Sequence, residues 1–205
     1  MDLGIMNITQ IKNNERVYPE SLVSFLGSDA PRTIWALGNR EILNNKKVGF
    51  FCSSKCPGDL IIKTYDLAKK WQDDGVTVIG GFHSPMEQEC LTILLRGKQS
   101  VIVCPARGIE NMRLKADYKT PLAESRLLYL SPFPGKEKRM TADLALARNR
   151  FVAALADNIF VAHAAEGGKI EAFCCELAAR GKSLTTLESD ANDNLVALGA
   201  QALKF

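Results

Sequence analysis

The chain lacks any run approaching the about 18 consecutive apolar residues that a membrane-spanning helix needs, so no membrane association is expected. Met1–Asn14 holds no basic stretch followed by an apolar run, which argues against a secretory leader and for a cytoplasmic location. There is no CxxC pair and no regular Cys/His spacing, so a structural zinc site is not expected. No complete GxGxxG or phosphate-binding P-loop appears, and no Ser/His/Asp order suggests a hydrolase. The only histidines are His83 and His163. General acid–base catalysis needs a positioned partner for either one, so both read as hydrogen-bonded structural histidines. No catalytic residue, metal or cofactor is assigned.

What is present suits one large α/β domain. The chain has 205 residues, 46% hydrophobic and 24% charged, enough to bury a sizeable core. The six cysteines, Cys52, Cys56, Cys90, Cys104, Cys174 and Cys175, read as reduced and mostly buried thiols, because a chain of this length needs no disulfide staples. Net charge is only +3, but residues 96–150 carry 12 basic and 5 acidic side chains. A basic middle segment fits an anionic partner such as nucleic acid or a nucleotide phosphate, and equally a solvated loop region.

Short apolar runs alternate with amphipathic stretches. Strands are predicted at 47–52, 76–79, 100–104, 126–130, 158–163 and 182–187, and helices at 59–74, 85–96, 141–156, 169–180 and 194–203. Strands that are apolar throughout and joined by helices indicate a Rossmann-like, doubly wound, mostly parallel sheet with helices on both faces. Residues 1–46 have weak periodicity and read as a small helical or irregular extension packed on a core domain of residues 47–205. Residues 105–125 and 131–140 read as basic loops.

In such a sheet ligands sit beyond the carboxyl ends of the strands, so the residues following each strand are the candidates. After the first predicted strand come Ser53, Ser54 and Lys55, which could cap a helix or hold a phosphate. After the second come Gly80, Gly81 and Phe82, where paired glycines allow close backbone approach. Arg107 follows the third strand and could clamp a phosphate with its planar fork. Arg148, Asn149 and Arg150 precede the fifth strand. The two arginines diverge around the helix, one toward the site and one toward solvent or a carboxylate. Gly167, Gly168 and Lys169 open the next helix as an anion cradle with a nearby lysine. Phe82 and Phe133 are the aromatics expected to stack on bases.

The order of these fragments from Tyr18 to Leu203 resembles the DNA-processing protein A (DprA/Smf) family. The counterparts are Tyr18-Pro19, Cys52-Ser53-Ser54, Gly80-Gly81-Phe82, Arg148-Asn149-Arg150, Gly167-Gly168, Gly181-Lys182 and Gly199-Ala200, with the Arg-Asn-Arg element the most specific. The resemblance implies an extended Rossmann fold, a homodimer, binding of single-stranded DNA and the loading of a RecA-type recombinase. The family's Gly-Ser-Arg turn lacks its arginine here, with Lys55 nearby. Its Gly-Ile-Asp reads Pro85-Met86-Glu87, and the usual acid after the fifth strand is His163. The length leaves no room for the helical or winged-helix domains that many members append. The alternative is a nucleotide-binding protein or sensor of the same superfamily. Its phosphoribohydrolase members carry a Pro-Gly-Gly-x-Gly-Thr motif and a glutamate, of which Gly167-Gly168 and Glu171 are the remnants. A subunit with a degenerate site is the third reading.

Overall fold

A computed structural model describes residues 8–110, 112–137 and 139–204. The reading of the first seven residues therefore lies outside the described residues, as do Asn111 and Lys138 within the two basic loops. Nine strands are described: β1 (Thr9–Lys12), β2 (Thr33–Gly38), β3 (Lys47–Phe51), β4 (Thr77–Gly80), β5 (Val101–Val103), β6 (Leu127–Ser131), β7 (Asn158–Val161), β8 (Leu184–Leu187) and β9 (Gln201–Leu203). The helices are α1 (Glu20–Leu26), α2 (Gly58–Asp73), α3 (Pro85–Leu95), α4 (Ala116–Ala123), α5 (Ala142–Leu155), α6 (Lys169–Ala179) and α7 (Asp193–Ala197).

The strands form one sheet in the order β1-β2-β6-β5-β4-β3-β7-β8-β9. All pairings from β6 to β9 are parallel, while β1–β2 and β2–β6 are antiparallel. Alternation along each strand splits the core in two. Phe51, Ile79, Ile102, Leu128 and Ile159 face α1, α5, α6 and α7, whereas Phe50, Val78, Val101, Leu127 and Phe160 face α2, α3 and α4. The expected doubly wound architecture is therefore the observed one.

The helices follow from local chemistry. α2 buries Leu60, Thr64, Leu67, Ala68 and Trp71, a stripe at helical spacing. α3 starts on a reciprocal capping box between Ser84 and Glu87, with Pro85 in its first turn. Thr141 caps α5 by accepting from the Leu144 N–H.

Three stretches differ from the sequence reading. Residues 1–46 contribute α1 and also two strands, β1 and β2, which lengthen the sheet beyond β6. β1 buries only Ile11, so alternation could not reveal it. The supposed loop 105–125 contains α4, eight residues long with Pro121 inside it, which disguises the helix. The predicted terminal helix 194–203 stops at Ala197. Gly199 takes a positive φ of 89°, its N–H donates to Val196 O, and the Ala200 N–H donates to Leu195 O. That pair of bonds is a Schellman stop, after which the chain runs on as β9.

Candidate functional site

The chain lays down β3, β4, β5 and β6 outward in one direction, then returns through α5 to place β7 on the other flank of β3. Strand order reverses at β3 and β7, so the helices leaving these strands diverge and leave a crevice at their carboxyl ends. Ser53 stitches the crevice floor. Its N–H donates to His163 O at 2.9 Å, and its Oγ accepts the Ala165 N–H at 3.0 Å. Ser53 is thus buried and spent on structure, whereas the next two residues, Ser54 and Lys55, are exposed.

The Arg-Asn-Arg element lies on α5, and its two arginines part company as expected from helical geometry. Arg148 is only 6% exposed. Its Nε donates to Asn149 Oδ1 at 2.8 Å and its Nη1 to Cys104 O at 3.1 Å, tying α5 to the end of β5. A Cβ on Gly81 would lie 1.1 Å from Arg148 Nη1, so this glycine makes room for the guanidinium and not for a ligand. Burial pulls the Arg148 pKa below its usual value, against the opposing pull of Glu87 and Cys104. Arg150 instead grips Glu176 on α6 with three hydrogen bonds of 2.8–3.0 Å, and Arg180 joins the same carboxylate at 3.2 Å.

Other sequence candidates are also built into the scaffold. Phe82 adopts a φ of 47° and is buried, its ring 6.2 Å from Phe50. Phe133 is buried too. Neither offers the exposed ring that base stacking requires, which corrects that expectation. The glycine cradle before α6 already holds an anion belonging to the chain. The Gly167 N–H donates to Glu171 Oε2 at 2.7 Å, the second Glu171 oxygen accepts from Asn194, and the Gly168 N–H returns to Ala165 O. Gly80 ends β4 beneath the rim. His163 pairs through Nδ1 with the buried Asn192 at 3.0 Å, a structural contact.

Above this inner layer lies a pocket of about 770 Å³. Ser53, Ser54 and Lys55 line it from β3, His83, Ser84 and Glu87 from the start of α3, and Arg148, Asn149 and Arg150 from α5. Lys169 and Phe173 of α6 complete it, and Ala142, Ala145, Leu146 and Ile170 form apolar wall. Lys55 and Lys169 reach it from opposite sides of the switch point, both exposed and without an ion pair among the described residues. Glu87 is turned inward, accepting the His83 and Ser84 N–H groups at 2.9 and 2.8 Å. Arg107 is exposed after β5 but does not line the pocket. Its carbonyl accepts Ser131 Oγ at 2.7 Å, where the 104–110 and 131–137 loops pack together.

Sequence reasoning missed the apolar wall and the pocket carboxylates Asp143 and Glu176. It named Glu87 only as a family counterpart and Glu171 only as a motif remnant, and the capping signature Ser84-x-x-Glu87 points to a helix start, not a ligand. Among the described residues no cluster of His, Cys, Asp or Glu could hold a metal ion, and no helix is long and apolar enough to cross a membrane.

Comparison with known proteins places this geometry. The DNA processing protein A of Streptococcus pneumoniae superposes with a TM-score of 0.77 at 19% identity, over 96% of this chain and 71% of that one. The DNA processing protein A of Helicobacter pylori, described for its unique single-stranded DNA binding mode, gives 0.74 at 19% identity, over 98% and 91%. A molybdenum cofactor binding protein of Rippkaea orientalis shares the fold more distantly, at 0.54 and 11% identity, over 78% and 88%. No curated protein sequence matches the chain. The sequence model of one family matches residues 9–203, nearly the whole chain. The chain therefore belongs to the family of DNA recombination-mediator protein A.

Proposed function

We propose that the chain binds single-stranded DNA across the switch-point pocket and acts in DNA processing, uptake or recombination. One observation carries this reading: two exposed lysines without an ion pair among the described residues, Lys55 and Lys169, flank a pocket with an apolar wall in a member of this family. The lysines take backbone phosphates at the pocket mouth, and the exposed Ser54 hydroxyl adds a hydrogen bond. Bases lie on the aliphatic surface of α5, where Leu146 is exposed, in the place of the aromatic platform expected from sequence. The inner layer, Arg148, Gly81, Ser53 and Glu171, shapes the pocket without touching the strand.

Fluorescence anisotropy of a labelled oligothymidylate tests this. Affinity falls steeply with salt, because phosphate contacts release counterions. The double variant Lys55→Ala/Lys169→Ala flattens the slope of log K against log salt by about 1.4, two contacts at about 0.7 each. Binding that ignores salt would overturn the proposal. Nucleoside monophosphates form the second arm. If they bind as tightly as the oligonucleotide, the chain is a nucleotide sensor of the same superfamily. Glycosidic cleavage is not supported, since Glu171 is committed to Gly167 and Asn194.

The family likeness also leads us to a homodimer and to contact with a RecA-type recombinase, read out by sedimentation and by co-sedimentation on recombinase filaments. A reducing cytoplasm fits six free thiols.

A further inference from the structure

The pocket takes up only part of the rim on which it sits. β7, β3, β4, β5 and β6 are parallel neighbours, so their carboxyl ends form one continuous edge, which β8 extends on the far side of β7. Charge along this edge is one-sided. Arg107 stands beyond β5, and Lys136 and Arg139 beyond β6, all exposed and without an ion pair among the described residues. On the opposite side Glu166 stands beyond β7, and Glu188 and Asp190 beyond β8, exposed in the same way. The two loops that carry the cations are clasped together. Arg107 O accepts Ser131 Oγ at 2.7 Å, and the Gly108 N–H donates to Glu137 O at 2.9 Å. A Cβ on Gly108 would lie 2.4 Å from Pro134 O, and one on Gly135 would lie 1.8 Å from Glu110 Oε2, so the loops close only because both residues are glycine. The acids within these loops, Glu110 and Glu137, are half-buried.

Resting on the single-strand reading above, we infer that a strand seated in the pocket leaves it in one direction, across the ends of β4, β5 and β6, where Arg107, Lys136 and Arg139 take its further phosphates. Neighbouring strands lie about 4.8 Å apart, so the end of β6 is about 14 Å from the end of β3. The field of an exposed lysine is largely screened over about 8 Å at physiological salt. Lys55 therefore does not hold phosphates above β6, and a second set of cations is needed there. The clasped loops supply it, and because their backbone is already fixed, little ordering is needed on binding. In the other direction a polyanion meets Glu166, Glu188 and Asp190 within two strand spacings of β3, and like charges turn it away. The path crosses the sheet at right angles to its strands and makes the nucleic-acid site longer than the pocket. Arg107, which does not line the pocket, gains a phosphate in this way.

Photocrosslinking of the unaltered full chain maps the path. An oligothymidylate with a photoreactive thiothymidine at every position is bound, irradiated and digested with trypsin. Crosslinks are expected on Gly108–Arg113 and Leu127–Lys136, and none on Ser183–Lys204, which carries Glu188 and Asp190. Crosslinks on Ser183–Lys204, or crosslinks confined to Met140–Arg148 and the peptides bearing Lys55 and Lys169, overturn the inference. Anisotropy gives a second readout. The triple variant Arg107→Ala/Lys136→Ala/Arg139→Ala flattens the slope of log K against log salt by about 2.1, three contacts at about 0.7 each. Its urea midpoint stays that of the parent, because all three side chains are exposed. The two proposals fail separately. If Lys55→Ala/Lys169→Ala flattens the slope and the triple variant does not, the pocket reading stands and the extended path falls. If only the triple variant flattens it, the loops bind the strand and the pocket reading falls. A parent chain that binds no oligothymidylate overturns both.

Discussion

The rim of the sheet has two layers that use the same residue types for opposite ends. In the inner layer, Arg148, Ser53, Gly167 and Glu171 spend their polar groups on one another and on strand ends. In the outer layer, Ser54, Lys55, His83 and Lys169 stand exposed, and the two lysines make no ion pair among the described residues. An arginine or a glycine at a strand end is therefore not a phosphate contact by virtue of its position. Arg148 spends its Nε and Nη1 on Asn149 and Cys104, which fixes the guanidinium in place, so it meets the pocket it lines as a positioned part of the wall. The inner layer sets the shape of the pocket, and the outer layer supplies its charge.

Substitution at Gly81 tests the inner layer hardest. A methyl at that position would occupy the space of the Arg148 guanidinium. The guanidinium cannot move aside without breaking its bond to Cys104 O in a buried site. Gly81→Ala is expected to destabilise the fold by about 3 kcal/mol or more, the range for an overpacked and broken buried network. Arg148→Ala removes the obstacle, so in that background the Gly81→Ala change costs under about 1 kcal/mol. Urea unfolding of the four proteins measures the coupling. Additive costs would mean that the arginine and the glycine act independently.

Alkaline titration gives the next largest effect and again separates the layers. The inner layer and the core beneath hold thiols that burial keeps protonated. Cys104, whose carbonyl receives Arg148, and Cys174 are both pushed up to about 12 by burial. Cys90 is shifted the same way by burial and by Glu87. A thiol whose folded pKa is raised binds its proton more tightly in the folded state. Its contribution is complete below the unfolded pKa of about 9 and is lost as pH climbs from there toward the folded value. Stability should hold level from pH 7 to 8.5, then fall above pH 9 by up to about 1.4 kcal/mol per pH unit for each such thiol. Denaturant midpoints at pH 8 and 10.5 show this, and Cys104→Ala lessens the drop. A midpoint that stays flat would mean these thiols ionise without unfolding.

How far the sequence reveals this arrangement depends on what each residue contacts. The parallel core was legible because β3 to β7 are mostly apolar and buried on both faces, and helices such as α2 and α3 carry a clear stripe or cap. The antiparallel pair β1 and β2 was not, since β1 buries a single residue and draws its stability from pairing with a strand distant in sequence. The site residues fell on one rim because parallel strands place all their carboxyl ends together. Their division into layers was hidden. Gly81 meets Arg148 at a sequence separation of 67, and Glu171 meets Asn194 at a separation of 23. Neither distance leaves a local signature, so a structural glycine and a ligand-cradling one look alike in one dimension. The same holds for Phe82, whose burial depends on Phe50 in the neighbouring strand.

The finest test compares two residues of one turn, Ser53 and Lys55. Ser53→Ala removes the acceptor of the Ala165 N–H and leaves that donor unpaired in a part-buried site. Its expected cost is about 1 kcal/mol. Lys55→Ala removes an exposed side chain without an ion pair among the described residues, and its cost should stay within about 0.5 kcal/mol. Oligonucleotide affinity should rank the two the other way round, with Lys55→Ala weakening binding and Ser53→Ala changing it little at a temperature where the protein is folded. Parallel urea and anisotropy measurements on both variants decide it. If Lys55→Ala proved the more destabilising of the pair, the lysine would belong to the scaffold, and the boundary between the two layers would have to be drawn outside the turn.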